Sequence, residues 1–451
     1  MSRKLFGTDG IRGVAGEYPL DHKTAHAVGS ALGQWILAKQ GHKAVVIGMD
    51  TRESGPWLAA ELAAGLAGHG VTIEFAGITT TPGVAYLAKT GPFAAGVMIS
   101  ASHNPYQDNG IKIIDHSGYK LPDEQELRLE DEIFRVLGEG PAGQAGPLPV
   151  DDQLDESYIE HLAATVTSRF EGMTIALDCA NGSAAHLAPE LFERLGAELI
   201  LIGCAPDGRN INLNSGSLHL ESLRETVLSN RADLGVAFDG DADRALFVSH
   251  TGKIVDGDAV MLMCARRLHA QGRLADNEGR PVVVATVMSN LGFERALAKD
   301  GIRLVRTPVG DKYVLEEMLR IGAVIGGEQS GHVIFRDYAT TGDGMLTALR
   351  VLDVITASGR QLDELTADLV IYPQLLVNVR VKNRRPLADL PGVQHEIRAA
   401  EESFGEAGRV LVRFSGTEPL ARVMVEGPDL DRVKVFAGRI ASQIRSELGA
   451  E

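Results

Sequence analysis

The chain has 451 residues, 44% of them hydrophobic and 23% charged, with a net charge of −16. Its length exceeds one ordinary core and predicts about three or four domains of ~100–150 residues. The acidic balance argues against nucleic acid as a partner, and no uninterrupted apolar run reaches the length of a membrane span.

A small anionic ligand stays compatible with this background, provided that Arg, Lys and helix N-termini cluster locally. Cys179, Cys204 and Cys264 are too far apart for a CxxC pair, which fits a reducing, cytoplasmic setting. The first two follow apolar runs and read as small core residues. The N-terminal residues are basic with no apolar stretch behind them, so no secretory signal is expected.

The first segment carries Phe6-Gly7-Thr8-Asp9-Gly10-Ile11-Arg12-Gly13, whose glycines predict a flexible loop able to approach a ligand closely. Asp21 is a candidate N-cap for a helix with Val28, Leu32, Trp35 and Ile36 on one face and Gly41 at its end. A strand over residues 45–47 leads to Asp50, Arg52 and Ser54. A helix over 56–69 carries Pro56 near its first turn, and a strand over 71–75 follows. The apolar run 94–99 predicts a buried strand that enters Ser100-Ala101-Ser102-His103-Asn104-Pro105. Ligands of open α/β sheets bind beyond the carboxyl ends of strands, so Ser102 sits where chemistry is expected. The same residues also suit an ordinary turn.

Residues 138–149 are dense in Gly and Pro and read as a linker. A second α/β unit follows, with strands over 174–177 and 197–202 around a helix over 185–195. The strand 234–238 runs into Asp239-Gly240-Asp241-Ala242-Asp243-Arg244, and a strand over 245–248 comes next. The third unit has a helix over 259–269, a strand over 282–287, a helix after Asn290 and a strand over 302–305. Residues 323–325 lead into Gly326-Gly327-Glu328-Gln329-Ser330-Gly331-His332, and a helix over 343–355 closes the unit. In the last segment an alternating strand spans 375–381. Strands over 409–413 and 420–425 flank Ser415-Gly416-Thr417-Glu418-Pro419, and a final helix places Val433, Phe436, Ile440, Ile444 and Leu448 on one face. The expected class is α/β: three related α/β domains with mainly parallel mixed sheets, plus a smaller C-terminal α+β domain. The expected boundaries are 1–150, 151–254, 255–370 and 371–451.

Asp239, Asp241 and Asp243 carry the strongest chemical signal. Three carboxylates at alternate positions repel one another unless a cation binds them, and hard oxygens suit Mg²⁺ or Ca²⁺. An EF-hand loop is ruled out, because Arg244 and His250 stand where it needs Gly and Glu. Three protein ligands leave room for a phosphate oxygen. Arg413, Ser415, Gly416 and Thr417 offer a guanidinium fork, hydroxyls and loop N–H groups, an anion cradle that also resembles a polar hairpin loop. Glu328 and Ser330 can accept from and donate to neighbouring sugar hydroxyls, and His332 can carry a proton, although a capped turn has the same composition. Arg12, His103 and Lys112 are the cations near Ser102. No Walker A, GxSxG or HExxH pattern occurs. A serine, a carboxylate-bound metal and a distant anion cradle together point to phosphoryl transfer with a second phosphate held elsewhere.

Over essentially its full length the chain resembles the α-D-phosphohexomutases. The resemblance rests on FGTDGIRG at 6–13, SASHNP at 100–105, DGDADR at 239–244, VGDKYV at 309–314, GEQSGH at 327–332 and RFSGTEP at 413–419. It implies four domains around a central active-site cleft, with Ser102 as the phosphoserine and Asp239, Asp241, Asp243 and the Ser102 phosphate holding Mg²⁺. It further implies Arg12, Lys112 and His332 for proton transfer and charge stabilisation. Arg244, Glu328, Ser330, Arg413, Ser415, Gly416 and Thr417 would then bind substrate. Within the family the chain is most similar to the bacterial branch that interconverts glucosamine 6-phosphate and glucosamine 1-phosphate through a bound glucosamine 1,6-bisphosphate or similar hexose bisphosphate, an intramolecular phosphotransfer in amino-sugar metabolism that feeds UDP-N-acetylglucosamine and cell-wall precursor synthesis. Mutases of the same fold that act on glucose or mannose phosphates, a metal-dependent phosphatase and a silent sugar-phosphate sensor are the competing readings. A monomer or homodimer in the cytoplasm, with a small sugar phosphate as its partner, is expected. Two departures stand out: Ala242 replaces the usual Gly of the metal loop, and Ser217-Leu218-His219-Leu220 replaces Ser-Thr-His-Pro.

Overall fold

The computed structural model describes residues 4–7, 9–139, 146–415 and 419–449. They form two compact units, one of residues up to Met288 with Gly301–Ala367, the other of Ser289–Asp300 with Asp368–Glu451.

The first unit repeats one sheet plan three times. Each sheet contains three parallel strands, and the first of the three in sequence lies between the second and the third. The trios are Ala44–Met49, Thr72–Ile78 and Phe93–Ile99; Thr174–Asp178, Glu198–Ile202 and Leu234–Phe238; and Val282–Thr286, Arg303–Thr307 and Ile325–Gly327. A fourth strand then pairs antiparallel with the third: Asp108–Asp115, Ala245–Ser249 and Val333–Phe335 respectively. Each sheet thus has a parallel core with an antiparallel extension on one side. The Ser102 loop, the aspartate loop and the Glu328 loop all join a third strand to a fourth. They occupy one topological position, next to the switch point where strand order reverses and ligands bind.

Local sequence accounts for these elements. Asp21 caps His22–Leu37 by accepting the Thr24 N–H at 2.8 Å. That helix ends at Leu37, short of Gly41, and the Lys43 ammonium donates to the carbonyl of Ile36 in its last turn at 2.7 Å. Phe6-Gly7 and Gly10–Val14 form a hairpin on the edge of the first sheet rather than a flexible loop, and Thr8 lies outside the described residues. Gly10 has φ +81°, and a Cβ there would lie 2.4 Å from the Ile111 carbonyl oxygen. Several helices were not expected: Thr81–Thr90, Asp123–Glu139, Asp152–Ala164, Glu221–Asn230 and Asp311–Ile321. Residues 140–145 of the Gly/Pro stretch lie outside the described residues; Val150 beyond them pairs with Phe75. Cys179 and Cys264 are buried as small core residues, whereas Cys204, two residues beyond its strand, is only partly covered. Residues Gly216–Leu218 form a single 3₁₀ turn at the second departure.

In the second unit, Leu420–Glu426 lies between Gln374–Arg380 and Arg409–Phe414, all antiparallel. The helix Leu430–Leu448 buries Val433, Phe436, Ile440, Ile444 and Leu448 against Val379, Val423, Val425 and Phe404. Burying each such side chain stabilises by roughly 1.5–3 kcal/mol. The helix Leu291–Lys299 belongs here. The Asn290 side-chain amide pairs with the backbone of Tyr372 at 2.9 and 3.0 Å, and Glu426 accepts the Leu291 N–H at 2.9 Å.

Candidate active site

Ser102 follows the buried strand Phe93–Ile99 and is itself 2% exposed. Its φ is +53°, a conformation that side chains other than glycine adopt at a cost and that clusters at functional positions. Hydrogen bonds hold it there. Its N–H donates to Ser100 Oγ at 2.9 Å, and Ser100 Oγ donates to Asp50 Oδ2 at 2.6 Å. Asp50 also accepts Arg52 Nε at 2.8 Å, with both side chains fully buried. The Arg52 guanidinium then donates to the carbonyls of Ser102 at 3.0 Å, Asn104 at 2.8 Å, Asp108 at 2.9 Å and Pro105. Asn212 adds bonds to the carbonyls of Ser102 and Asn104 at 2.9 and 3.0 Å.

The Ser102 hydroxyl donates to Asp239 Oδ2 at 2.6 Å. Asp239, Asp241 and Asp243 are buried, and each offers a carboxylate oxygen within 4.8 Å of the others. The loop approaches Ser102 this closely because residue 240 is glycine; a Cβ there would lie 2.5 Å from the Ser102 carbonyl oxygen. Burial and its two acidic neighbours raise the Asp239 pKa well above the carboxylate range. Asp241 Oδ1 and Asp243 Oδ1 are buried with no hydrogen-bond partner. Buried, mutually repelling oxygens without donors fit a hard divalent cation such as Mg²⁺. Ala242 has φ +54°, so its methyl does sit in the left-handed region.

Cations ring this acidic centre. Lys112, 1% exposed on the strand Asp108–Asp115, donates to Asp241 Oδ2 at 2.7 Å and lies 3.1 Å from Asp9. Burial works against its charge, but Asp241 and Asp9 outweigh burial and raise its pKa. Thr81 donates its N–H and hydroxyl to Asp241 at 3.1 and 2.5 Å from the first turn of Thr81–Thr90, the positive end of that helix. Arg12 pairs with Asp9. Arg244 gives its N–H to Asp239 at 3.1 Å and its Nε lies 3.7 Å from Asp243. His332 Nδ1 is 3.5 Å from Asp243, and the Gly342 N–H points at Nε2 from 3.1 Å. Burial lowers its proton affinity, yet Asp243 and Asp311 raise its pKa to about 9. The amide favours the neutral ring and the carboxylates the charged one, opposing demands that suit a proton carrier.

Glu328 accepts the Gly310 N–H at 3.1 Å, and the buried Ser330 Oγ has no hydrogen-bond partner. His103 is corrected: its Nδ1 lies 3.3 Å from Ser102 Oγ, but burial, Arg244 and Arg12 depress its pKa to about 4, so it is no cation at neutral pH. In the second unit, Arg413 stands opposite Arg422 across antiparallel strands. Burial and that neighbour lower the Arg413 pKa. Like charges directly opposite each other repel across a sheet. The Ser415 N–H donates to the Leu420 carbonyl at 2.8 Å; Gly416 and Thr417 lie outside the described residues.

Within the first unit, then, the structure brings together Ser102, Arg12, Lys112, Arg244, His332 and the aspartates. Sequence reasoning missed Asp9, Asp50, Arg52, Thr81, Lys120, Asn212 and Asp311. Asp50 and Arg52 were legible in part, since they follow the first strand of a trio and so face the same switch point.

Fold and site together define a phosphohexomutase-type enzyme, an isomerase that moves a phosphoryl group between positions of a sugar. The phosphoglucomutase/phosphomannomutase alpha/beta/alpha domains I, II and III match residues 3–137, 156–252 and 256–372, and the C-terminal domain matches 376–443. The chain belongs to the phosphoglucomutase/phosphomannomutase family. A phosphoglucosamine mutase of Solibacter usitatus is 60% identical over 449 residues, covering 100% of each chain. The crystal structure of a family member from Burkholderia thailandensis superposes with a TM-score of 0.81 at 25% identity, covering 99% of this chain and 98% of that one. The fold is shared with Aspergillus fumigatus N-acetylphosphoglucosamine mutase, solved with GlcNAc-6P and magnesium (TM-score 0.64, 18% identity, 99% and 96% covered). Among the described residues, no helix is long and apolar enough to cross a membrane.

Proposed function

We propose that this chain interconverts glucosamine 6-phosphate and glucosamine 1-phosphate through a phosphoserine at Ser102 and a bound hexose 1,6-bisphosphate. The carrying observation is the Ser102 hydroxyl held 2.6 Å from Asp239, within a cluster of three buried carboxylates. Asp239, Asp241, Asp243 and the Ser102 phosphate would hold Mg²⁺, which supplies charge neutralisation to the transferring group. A sugar hydroxyl attacks the phosphorus, the bond to Ser102 Oγ breaks, and the hydroxyl proton is taken up as Oγ leaves. Lys112 contributes a fixed positive charge beside the triad, and His332 and Arg12 complete the proton-handling set. Glu328 and Ser330 read adjacent sugar hydroxyls, a pattern that serves both orientations of a bisphosphate, and Arg244 faces the reacting phosphate. Arg413, Ser415, Gly416 and Thr417 take the phosphate that does not react.

The assignment of roles follows the division 1–150 for phosphoserine, 151–254 for metal, 255–370 for sugar and 371–451 for the second phosphate. The acidic charge and three free cysteines favour a cytoplasmic enzyme with a small sugar phosphate, rather than nucleic acid or a membrane, as its partner. The test compares kcat/KM for glucosamine 6-phosphate with glucose and mannose phosphates, with intact-mass detection of phosphorylated Ser102. A preference for a neutral hexose overturns the substrate. Inorganic phosphate released as fast as product forms makes the enzyme a phosphatase, and full activity in Ser102→Ala removes the phosphoserine.

A further inference from the structure

Asp9 and Asp311 come from distant parts of the chain, yet one ammonium joins them. Lys120 binds Asp9 Oδ1 and lies 2.6 Å from Asp311 Oδ2, with 24% of its side chain exposed. Beyond Asp9 the chain of charges continues to Lys112 at 3.1 Å and on to Asp241. Beyond Asp311 it continues to His332 at 4.0 Å and on to Asp243. Basic side chains alternate with carboxylates along the whole path from Asp241 to Asp243. Lys120 stands at its midpoint and touches none of the metal-binding aspartates.

The surroundings amplify these pairings. Lys120, Asp311 and His332 line a cavity of about 310 Å³ whose other walls include Ile114, Leu121, Leu315, Leu319 and Ile334. Apolar walls lower the local dielectric and strengthen each ion pair. Burial opposes the ammonium, but Asp311 and Asp9 outweigh it and raise the Lys120 pKa. Without that cation, Asp9 and Asp311 become like charges facing each other across the wall of this cavity. They would separate or share a proton, and each would carry its partner with it: Lys112 on one side, His332 on the other.

We propose that Lys120 is a positioning residue for phosphoryl transfer, which holds Lys112 and His332 in register by bridging Asp9 and Asp311. It binds no substrate atom. This rests on the reading of Lys112 and His332 as groups that handle charge and protons during transfer. The variants are Lys120→Met, which keeps an unbranched side chain one atom shorter and without the charge, and Lys120→Arg, which keeps the charge.

Steady-state turnover of the full chain is measured with Mg²⁺ and glucose 1,6-bisphosphate, using glucosamine 6-phosphate and glucose 6-phosphate in separate arms. Lys120→Met is expected to lower kcat by about tenfold or more while KM stays within about threefold, as for loss of an interaction that matters in the transition state. Lys120→Arg is expected to recover most of that loss. In a His332→Gln background the Lys120→Met change should cost much less than it does alone, because the two act as a unit. An active wild type whose Lys120→Met variant keeps its kcat overturns the proposal. So do losses that add fully in the double variant, or a loss that Lys120→Arg does not relieve, since those describe an ordinary structural prop. A wild type that isomerises neither sugar phosphate overturns the reading of the site, and the role of Lys120 falls with it.

Discussion

Arg52 donates from Nη2 to the carbonyl oxygen of Ser102 at 3.0 Å, across fifty residues of sequence. The guanidinium is fully buried and serves four carbonyls of the loop, while Asp50 neutralises it and also fixes Ser100. A planar fork with several donors can do this, and a lysine ammonium cannot reach all four oxygens. Arg52→Lys is therefore expected to destabilise the protein by about 2–3 kcal/mol through carbonyls left unpaired. It should also slow phosphorylation of Ser102 by glucose 1,6-bisphosphate. Urea midpoints and time-resolved intact mass give the two values; an unchanged phosphorylation rate would detach Arg52 from the geometry of the serine.

Asp239→Asn removes one charge from a cluster in which burial and neighbouring carboxylates already raise the Asp239 pKa. The ligand-free variant should be at least as stable as wild type. Its Mg²⁺ affinity should fall at least about tenfold, with most of the Mg²⁺-induced rise in Tm gone. Thermal melts with Mg²⁺ or EDTA distinguish this outcome from a carboxylate that merely supports the fold, whose loss lowers Tm in both conditions.

Ala242 holds φ +54°. Ala242→Gly relieves a left-handed alanine and should stabilise the protein by about 1 kcal/mol, after the extra freedom of glycine in the unfolded chain is offset. Denaturant unfolding measures it, and a loss of stability would mean that the buried methyl contributes more by packing than its backbone costs.

Asp343 caps Gly344–Ser358 by accepting the Leu346 N–H at 2.9 Å and also accepts the Tyr158 hydroxyl at 2.8 Å. Burial raises its pKa from 3.8 to about 6, against the backbone hydrogen bonds. The folded protein binds this proton more tightly than the unfolded chain does. Its contribution to stability is complete below about pH 4 and is lost as pH rises towards 6, by about 3 kcal/mol. Asp343→Asn keeps an oxygen for the cap and should be free of that loss. The stability difference between variant and wild type, followed from pH 4 to 7, should therefore change by that amount. Parallel profiles would show that Asp343 ionises normally.

What the sequence makes legible, and what it hides, divides along physical lines. Strand-end loops rich in Ser, Asp, Gly and His stand out because their composition conflicts with the apolar runs before them. Ser102 and the aspartate triplet were visible for that reason. Lys112 and Lys120 look like surface lysines, because only the antiparallel strand Asp108–Asp115 and the turn after it set them against carboxylates from elsewhere. That strand is hidden in the sequence because Asn109, Gly110 and Lys112 interrupt its apolar pattern. Thr81–Thr90 was hidden between two strands, although Thr80 and Pro82 give it a capped start. The threefold sheet plan has no strict sequence repeat behind it; pairing order, not residue identity, carries it.

The near-complete burial of Ser102 has one further consequence. Water is the most abundant nucleophile available to a phosphorylated serine, and it needs a clear line to the phosphorus opposite the bond that breaks. Ser102, 2% exposed and with Asp239 2.6 Å from its hydroxyl, offers that line poorly to freely diffusing water, whereas a sugar phosphate held by the site's own cations would have its hydroxyl directed there. The phosphoenzyme would thus discharge slowly between substrates and keep its phosphoryl group through many encounters. Loss to hydrolysis, and with it the need for repriming by bisphosphate, would be governed by how seldom this buried position opens to solvent.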